Sequence, residues 1–316
     1  MTALVIVRVR DLFVVVMLAG IYSLLSASFF VAMDAVDVAF TEAAVGAGIS
    51  TILLLKTLTL TGRYESPARQ KPVFALFVVL ITGGLLIYGT LDMPSFGSAS
   101  APVHQHVAPY YINNTMKEVG IPNIVTAVLA SYRALDTFGE VVVIFTAGIG
   151  VLGLLSVTHR TNKFGDNYIA SMHQHMVLRI VAKILIPLIL IFALYVQFHG
   201  DYGPGGGFQA GVIFAAAIIL YSMLFGMNNA RQVVSQPLIQ FFAALGLLIY
   251  GTVGLTGLIT GENFLNYNAL LDDAIAGQHL GILLVELGVG VTVASIMIIV
   301  FFNFPDQIDD KQDSEK

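Results

Sequence analysis

Apolar residues in this chain run in long unbroken stretches, and polar residues collect in the gaps between them. About eight stretches reach the length of roughly 20 residues that a helix needs to cross a 30 Å hydrocarbon layer. They cover residues 11–33, 38–60, 72–91, 137–158, 177–198, 205–226, 236–259 and 280–303. All are far longer than barrel strands and lack strict alternation, which excludes a strand reading. The pattern predicts an all-α polytopic membrane protein with about eight transmembrane helices. The first stretch follows Arg8 and Arg10 and has no convincing cleavage site, so it reads as a retained helix rather than a signal peptide.

Composition agrees. Of the 316 residues, 57% are hydrophobic and 11% charged, with a mean hydropathy of +0.84; a soluble domain carries about 25% charge. There are no cysteines, which excludes disulfides, thiolate-held zinc and cysteine-held iron–sulfur clusters within the chain. The net charge is -5 and no basic tract suggests nucleic acid. Alternate gaps hold Arg8, Arg10, Arg63, Arg69, Lys71, Arg160, Lys163, Arg179, Arg231, Lys311 and Lys316, whereas the others hold only Lys117 and Arg133. By the positive-inside rule both termini are cytoplasmic.

The chain is organised around VQFHGDYGPGGGFQAGV at 196–212. His199, Asp201, Pro204, Gly205, Gly206, Gly207 and Gln209 lie there between two apolar runs, and read as a tight interfacial connection between membrane helices. The largest outer segment, 92–136, contains a stretch from Asn123 to Leu135 that suits a short amphipathic helix on the membrane or on a partner. His104 and His106 lack a clear third metal ligand, so ordinary loop structure is the better reading and no cofactor or metal is expected. The tail after Phe304 is polar and dispensable.

Ionisable residues inside spans are costly, and each is a pathway candidate. Glu42 and Lys56 are about four helical turns apart and can share a face; their bland readings are an interfacial acid and a snorkelling amine. Asp136 and Glu140 share a face, which suits a proton relay or cation entrance, with a helix-start acid as the alternative. Lys183 precedes Pro187 by one turn; it either pairs with a carboxylate or snorkels. Glu286 lies among apolar residues with His279 two turns earlier, and suits a proton or cation path better than a structural ion pair. No phosphate loop, thiol motif or nucleophile arrangement is present, so the reading is a transport subunit and not an enzyme.

FHGDYGPGGGFQAG and VELGVGVTV resemble the MnhB (MrpB) subunit of the Mrp-type multisubunit Na+/H+ antiporter family. DVAFTEAAVGAGIST resembles an MbhD-like region, and PVHQHVAPYYINNT, IPNIVTAVL and LDTFGEVVVIFTAG an MbhE-like region. The expected organisation is an MbhD-like region at 1–66, an MbhE-like region at 67–160 with its outer loop at 92–136, an MnhB-like four-helix domain at 161–304, and the tail at 305–316. The resemblance implies a connecting, ion-passage subunit in a bacterial cytoplasmic membrane. It implies antiporter-like and small Mrp-type subunits as partners, with H+ and Na+ or another monovalent cation as cargo. By motif position it puts ion passage at Glu42 and Glu140. Two alternatives stand beside this reading: a non-redox subunit of a hydrogenase-like or complex-I-related pump, and a structural scaffold.

Overall fold

The computed structural model describes residues 1–66, 72–156 and 176–304. The tail at 305–316 and the orienting charges Arg69, Lys71, Arg160, Lys163, Lys311 and Lys316 lie outside the described residues. The protein is an all-α polytopic membrane protein: eight helices among the described residues are long and apolar enough to cross a membrane. The chain divides into two units, residues 64–114 and the remainder.

The main unit begins with α1 (Thr2–Ile6) and α2 (Leu12–Ala32). The Asp11 carboxylate caps α2 by accepting from the Phe13 N–H at 3.1 Å, and pairs with Arg63 at 2.8 Å. The next span was expected to be one helix over 38–60. It is one continuous span, Val36–Thr61, in which a π-helical stretch (Ala43–Ile49) lies between α3 (Val36–Glu42) and α4 (Ser50–Thr61). The small side chains of AAVGAGI leave room for a widened turn there. Thr51 donates through its hydroxyl to the Gly46 carbonyl five residues back, at 3.4 Å.

The second unit contains α5 (Pro72–Thr90), α6 (Pro102–Gln105) and most of α7 (Val107–Glu118). Its span, Val73–Thr90, has no buried residue.

The segment expected as a surface amphipathic helix is α8 (Ile124–Ala127), followed by a π-helical stretch (Val128–Tyr132) and then α9 (Ala134–Ser156). One side of it is buried, at Thr126, Ala127 and Ala130, as are Val119 and Ile121 just before it, while Val125, Leu129 and Leu135 are exposed. Around the break before α9, hydroxyls donate to backbone carbonyls. Thr137 donates to Leu129 O at 2.7 Å, Tyr267 to Ala130 O at 2.7 Å and Tyr250 to Ala134 O at 2.8 Å. Pairing of this kind is required wherever backbone leaves helical geometry inside a membrane protein.

The rest of the main unit is α10 (Met176–His199), α11 (Gly207–Phe225), the short α12 (Met227–Val233), α13 (Gln236–Ile259) and α14 (Ala274–Asn303). Helix α14 is the centre, packed against α9, α11 and α13. It starts six residues earlier than its apolar run because Asp273 caps it, accepting from Ile275 N–H at 3.2 Å, so the polar Gln278 and His279 are already helical. Small residues set its contacts. A Cβ at Gly207 would run into the Glu286 carbonyl, and one at Gly211 would stand 2.6 Å from the Gly290 oxygen. Between membrane helices such close backbone approach supplies the packing energy that burial supplies in water.

Candidate ion passage

The turn joining α10 to α11 is folded by its glycines and held by its neighbours. Gly206 has φ +130°, a conformation that costs glycine little and other residues much. Its N–H donates back to Val196 O at 3.1 Å. Asn123 uses both ends of its amide: the oxygen caps α8, and the NH2 donates to Gly200 O and Gly203 O, each at 2.9 Å. Thr126 adds a hydroxyl bond to Gly200 O at 2.7 Å. On the other side Asp37, in the first turn of α3, accepts from Gly205 N–H at 3.1 Å, and Gln209 donates to the Asp37 carbonyl at 3.4 Å.

This turn forms one wall of a cavity of about 290 Å³. Three carboxylates line it: Asp37 from α3, Glu140 from α9 and Glu286 from α14. Thr41, Thr126, Thr137, Gln209 and Tyr250 add polar groups, and Val141, Val285 and Val289 add apolar ones. The Glu286 carboxylate lies against the turn, with one oxygen 3.3 Å from the Cβ position of Gly200 and the other 3.2 Å from that of Gly206. The first-turn N–H groups of α11, which have no partner within the helix, put partial positive charge at the same place. Neither Glu286 nor Glu140 accepts a hydrogen bond from a described residue.

The other candidates stand elsewhere. Glu42 lies along its own helix, with Oε1 2.9 Å from the Cβ position of Gly46, beside Ser23. Lys56 donates to Phe301 O at 3.1 Å, and its ammonium sits 4.1 Å from the Phe301 ring centroid. Asp136 is exposed and bonded to Arg133 Nε at 2.6 Å. Lys183 is exposed. His199 stacks on Tyr195 with ring centroids 4.9 Å apart, and Pro204 is exposed. Asp201 is half-buried, and its backbone oxygen accepts from Asn123 N–H at 3.1 Å. Burial pushes the Asp201 carboxyl above the usual range, while His279 pulls the other way. His279 is half-buried against Gly120. Among the described residues no group of three or more His, Cys, Asp or Glu side chains is placed to hold a metal.

Sequence reasoning missed Asp37 and Tyr250. Asp37 stands at the head of a span, where an acid reads as an ordinary helix start, although it belongs to the DVAFTEAAVGAGIST stretch. Tyr250 had no signal beyond being a polar tip in an apolar run.

Comparison with known proteins covers the segments that surround this cavity. A profile described as a domain related to the MnhB subunit of Na+/H+ antiporter matches residues 177–299. Profiles for MbhD and MbhE, described as the D and E subunits of MBH, match 1–63 and 77–165. The Staphylococcus aureus (strain NCTC 8325 / PS 47) protein mnhB2, assigned by name as an antiporter subunit, is 33% identical over 133 residues, covering 40% of this chain and 92% of its own length. The chain belongs to the MnhB family. Beyond the MnhB part, a Rhizobium meliloti (strain 1021) protein assigned by name as the A/B subunit of a K(+)/H(+) antiporter is 22% identical over 263 residues, 76% of this chain. This chain spans only 26% of that protein. Among solved structures, the Mrp complex from Dietzia sp. DQ12-45-1b contains a chain similar over 99% of this one, at 26% identity and a TM-score of 0.76, of which this chain covers 34%. An archaeal membrane-bound sulfane sulfur reductase contains a chain similar over 73% of this one and 97% of its own length, at 28% identity and a TM-score of 0.54. The three carboxylates divide among the three profiles: Asp37 falls in the MbhD match, Glu140 in the MbhE match and Glu286 in the MnhB match.

Proposed function

We propose that this MnhB-family chain is a connecting, ion-passage subunit of a multisubunit monovalent cation/proton antiporter of the bacterial cytoplasmic membrane, and that the carboxylate cavity is where it handles the ion. The observation that carries this reading is one cavity, among helices long enough to span a membrane, lined by one acid from each of three family segments. Carboxylates in such a setting are expensive unless they bind a proton or a cation. Glu286 and Glu140 have neither a basic partner nor a hydrogen-bond donor among the described residues, so both remain available to exchange. Asp37 is committed to the Gly205 N–H and fixes the wall. Coupling requires the antiporter-like and small membrane subunits of an Mrp-type assembly, with both termini of this chain on the cytoplasmic side.

The test is Glu286→Gln in the full complex, reconstituted in proteoliposomes under an imposed pH gradient. Exchange is expected to vanish while the quantity of assembled complex is unchanged; normal exchange by assembled variant would refute the reading. The similarity to a sulfane sulfur reductase chain favours one second reading, in which the same cavity serves a redox-driven host. In that case the reconstituted complex moves ions only when supplied with a reductant and an acceptor, and stays silent under a pH gradient alone.

A further inference from the structure

We propose that Glu286 and Gln209 together bind a dehydrated alkali-metal cation, which competes there with the Glu286 proton. This rests on the cavity being the ion passage, and names the ligand and the groups that hold it. Gln209, in the first turn of α11, is 8% exposed and lines the cavity with Glu286. Its NH2 donates to the Asp37 carbonyl at 3.4 Å. A reversed amide would set oxygen against that carbonyl, so the contact fixes which end of the amide is which. The Gln209 Oε1 lies 3.5 Å from the Cβ position of Gly206, and Glu286 Oε1 lies 3.2 Å from the same point. Two acceptors thus converge on one spot where glycine has no side chain. Neither accepts a hydrogen bond from a described residue.

The rest of the lining is poor in donors. Thr41 donates to Asp37 O at 3.1 Å, Thr126 to Gly200 O at 2.7 Å and Thr137 to Leu129 O at 2.7 Å. Each hydroxyl has its one hydrogen on backbone and keeps only lone pairs. Asp37 and Glu140 add carboxylates, Tyr250 donates to Ala134 O, and no Lys, Arg or His among the described residues lines the cavity. Asp201, in the turn beside Gly200, and His279, two turns before Glu286 on α14, stand outside the lining. Oxygen acceptors without a donor call for positive charge, and oxygen ligands suit hard cations. One carboxylate with one amide carries a single negative charge, which a proton or a monovalent cation balances. Among the described residues no three acids are placed to hold a metal in the way a divalent ion would require. The first-turn N–H groups of α11 oppose a cation with about half a positive charge, which three carboxylates outweigh.

In the proton-loaded state the Glu286 O–H donates to Gln209 Oε1. When the cation enters, that O–H bond breaks, the proton leaves on cavity water, and the cation sits between the carboxylate and the amide oxygen. One positive charge leaves for each that arrives. The cavity of about 290 Å³ has room for waters to complete the cation's shell, at about 30 Å³ each in the liquid.

The test is infrared difference spectroscopy of the purified full complex on addition of LiCl, NaCl or KCl, with choline chloride as the control and proteoliposome exchange measured alongside. In wild type at least one alkali chloride should replace an acid C=O band by carboxylate bands. Below the midpoint of that acid, each unit of lower pH should raise the cation concentration needed by about tenfold. Glu286→Gln should lack the change, which assigns the band. Gln209→Leu should raise the half-saturating cation concentration at least about tenfold, the scale of one lost contact to a charged group, and move the acid band to higher frequency. Gln209→Glu restores an acceptor oxygen but not the NH2 that meets Asp37 O. It should bind the cation more tightly than Gln209→Leu; equal weakness in the two would reduce Gln209 to a wall contact and overturn the proposal. An unchanged midpoint in Gln209→Leu would overturn it too. If neither Gln209 variant assembles, wild type decides: an acid band that answers alkali chlorides no differently from choline chloride sinks the cation site, and leaves the passage to protons. Exchange surviving in Glu286→Gln refutes the ion-passage reading itself.

Discussion

Helix α14 treats charge differently at its middle and at its C-terminal end. Around Glu286 the carboxyl group faces a cavity, lies against the glycine turn and has no basic neighbour among the described residues to hold it. Some 15 residues on, cations are spent on the helix itself: Lys56 donates to Phe301 O at 3.1 Å and Arg231 to Phe302 O at 2.8 Å. A helix C-terminus presents unsatisfied carbonyls and partial negative charge, and basic side chains are its natural complement. Lys56 and Glu286 are both ionisable residues within apolar runs. Their partners separate them: the amine serves as a fastening between α4 and α14, and the acid is the group we propose exchanges the ion.

The strongest way to sharpen this contrast is Glu140→Gln, which keeps size and some hydrogen bonding but removes the titrating group. Assembled complex should lose nearly all coupled exchange, and Glu140→Asp should keep part of it. Full activity in the Gln variant would put Glu140 in the same class as Asp136, whose carboxylate is already bound to Arg133.

Lys56→Met should act in the opposite sense. Removing one charged hydrogen bond to a helix-end carbonyl should cost about 2 kcal/mol of stability, with exchange per assembled complex unchanged. The thermal midpoint of the purified complex measures the first and proteoliposome exchange the second; a loss of exchange at normal assembly would return Lys56 to the pathway.

Asp201→Asn should have the smallest effect, and it carries a pH signature. Burial raises the Asp201 carboxyl above its unfolded value, so the folded state binds the proton more tightly and the ionised form is the unfavourable one. Stability from this group is therefore present at low pH and falls as pH rises through the carboxylate range. The variant should be more stable than wild type near neutral pH by about 0.5 kcal/mol, and the advantage should disappear below about pH 4. An advantage that persists in acid would assign the effect to packing.

The spans were legible because a bilayer demands one property over some 20 consecutive residues, a signal that survives without any partner. Glu286 and Glu140 were legible for the complementary reason: a charge inside such a run is rare. What could not be read was which side chains meet. Asp37 looks like any helix-start acid until Gly205 N–H is found on its carboxylate. The Ala43–Ile49 stretch has small residues that suit α-helix and π-helix alike, so its widened turn depends on what packs beside it. The Asn123–Leu135 stretch has amphipathic spacing, but the side that meets protein holds Thr126, Ala127 and Ala130, beside the helix break whose carbonyls accept from Tyr250 and Tyr267.

The cavity takes one acid from each of three segments that match separate family profiles. Were those segments three polypeptides, the chamber would exist only while two independent docking equilibria were both satisfied. Peptide bonds replace each encounter with a local concentration of order mM, whatever the expression level. They also fix the ratio of the three acids at one to one to one, so no unmatched segment can insert into the bilayer with a bare carboxylate and open a leak.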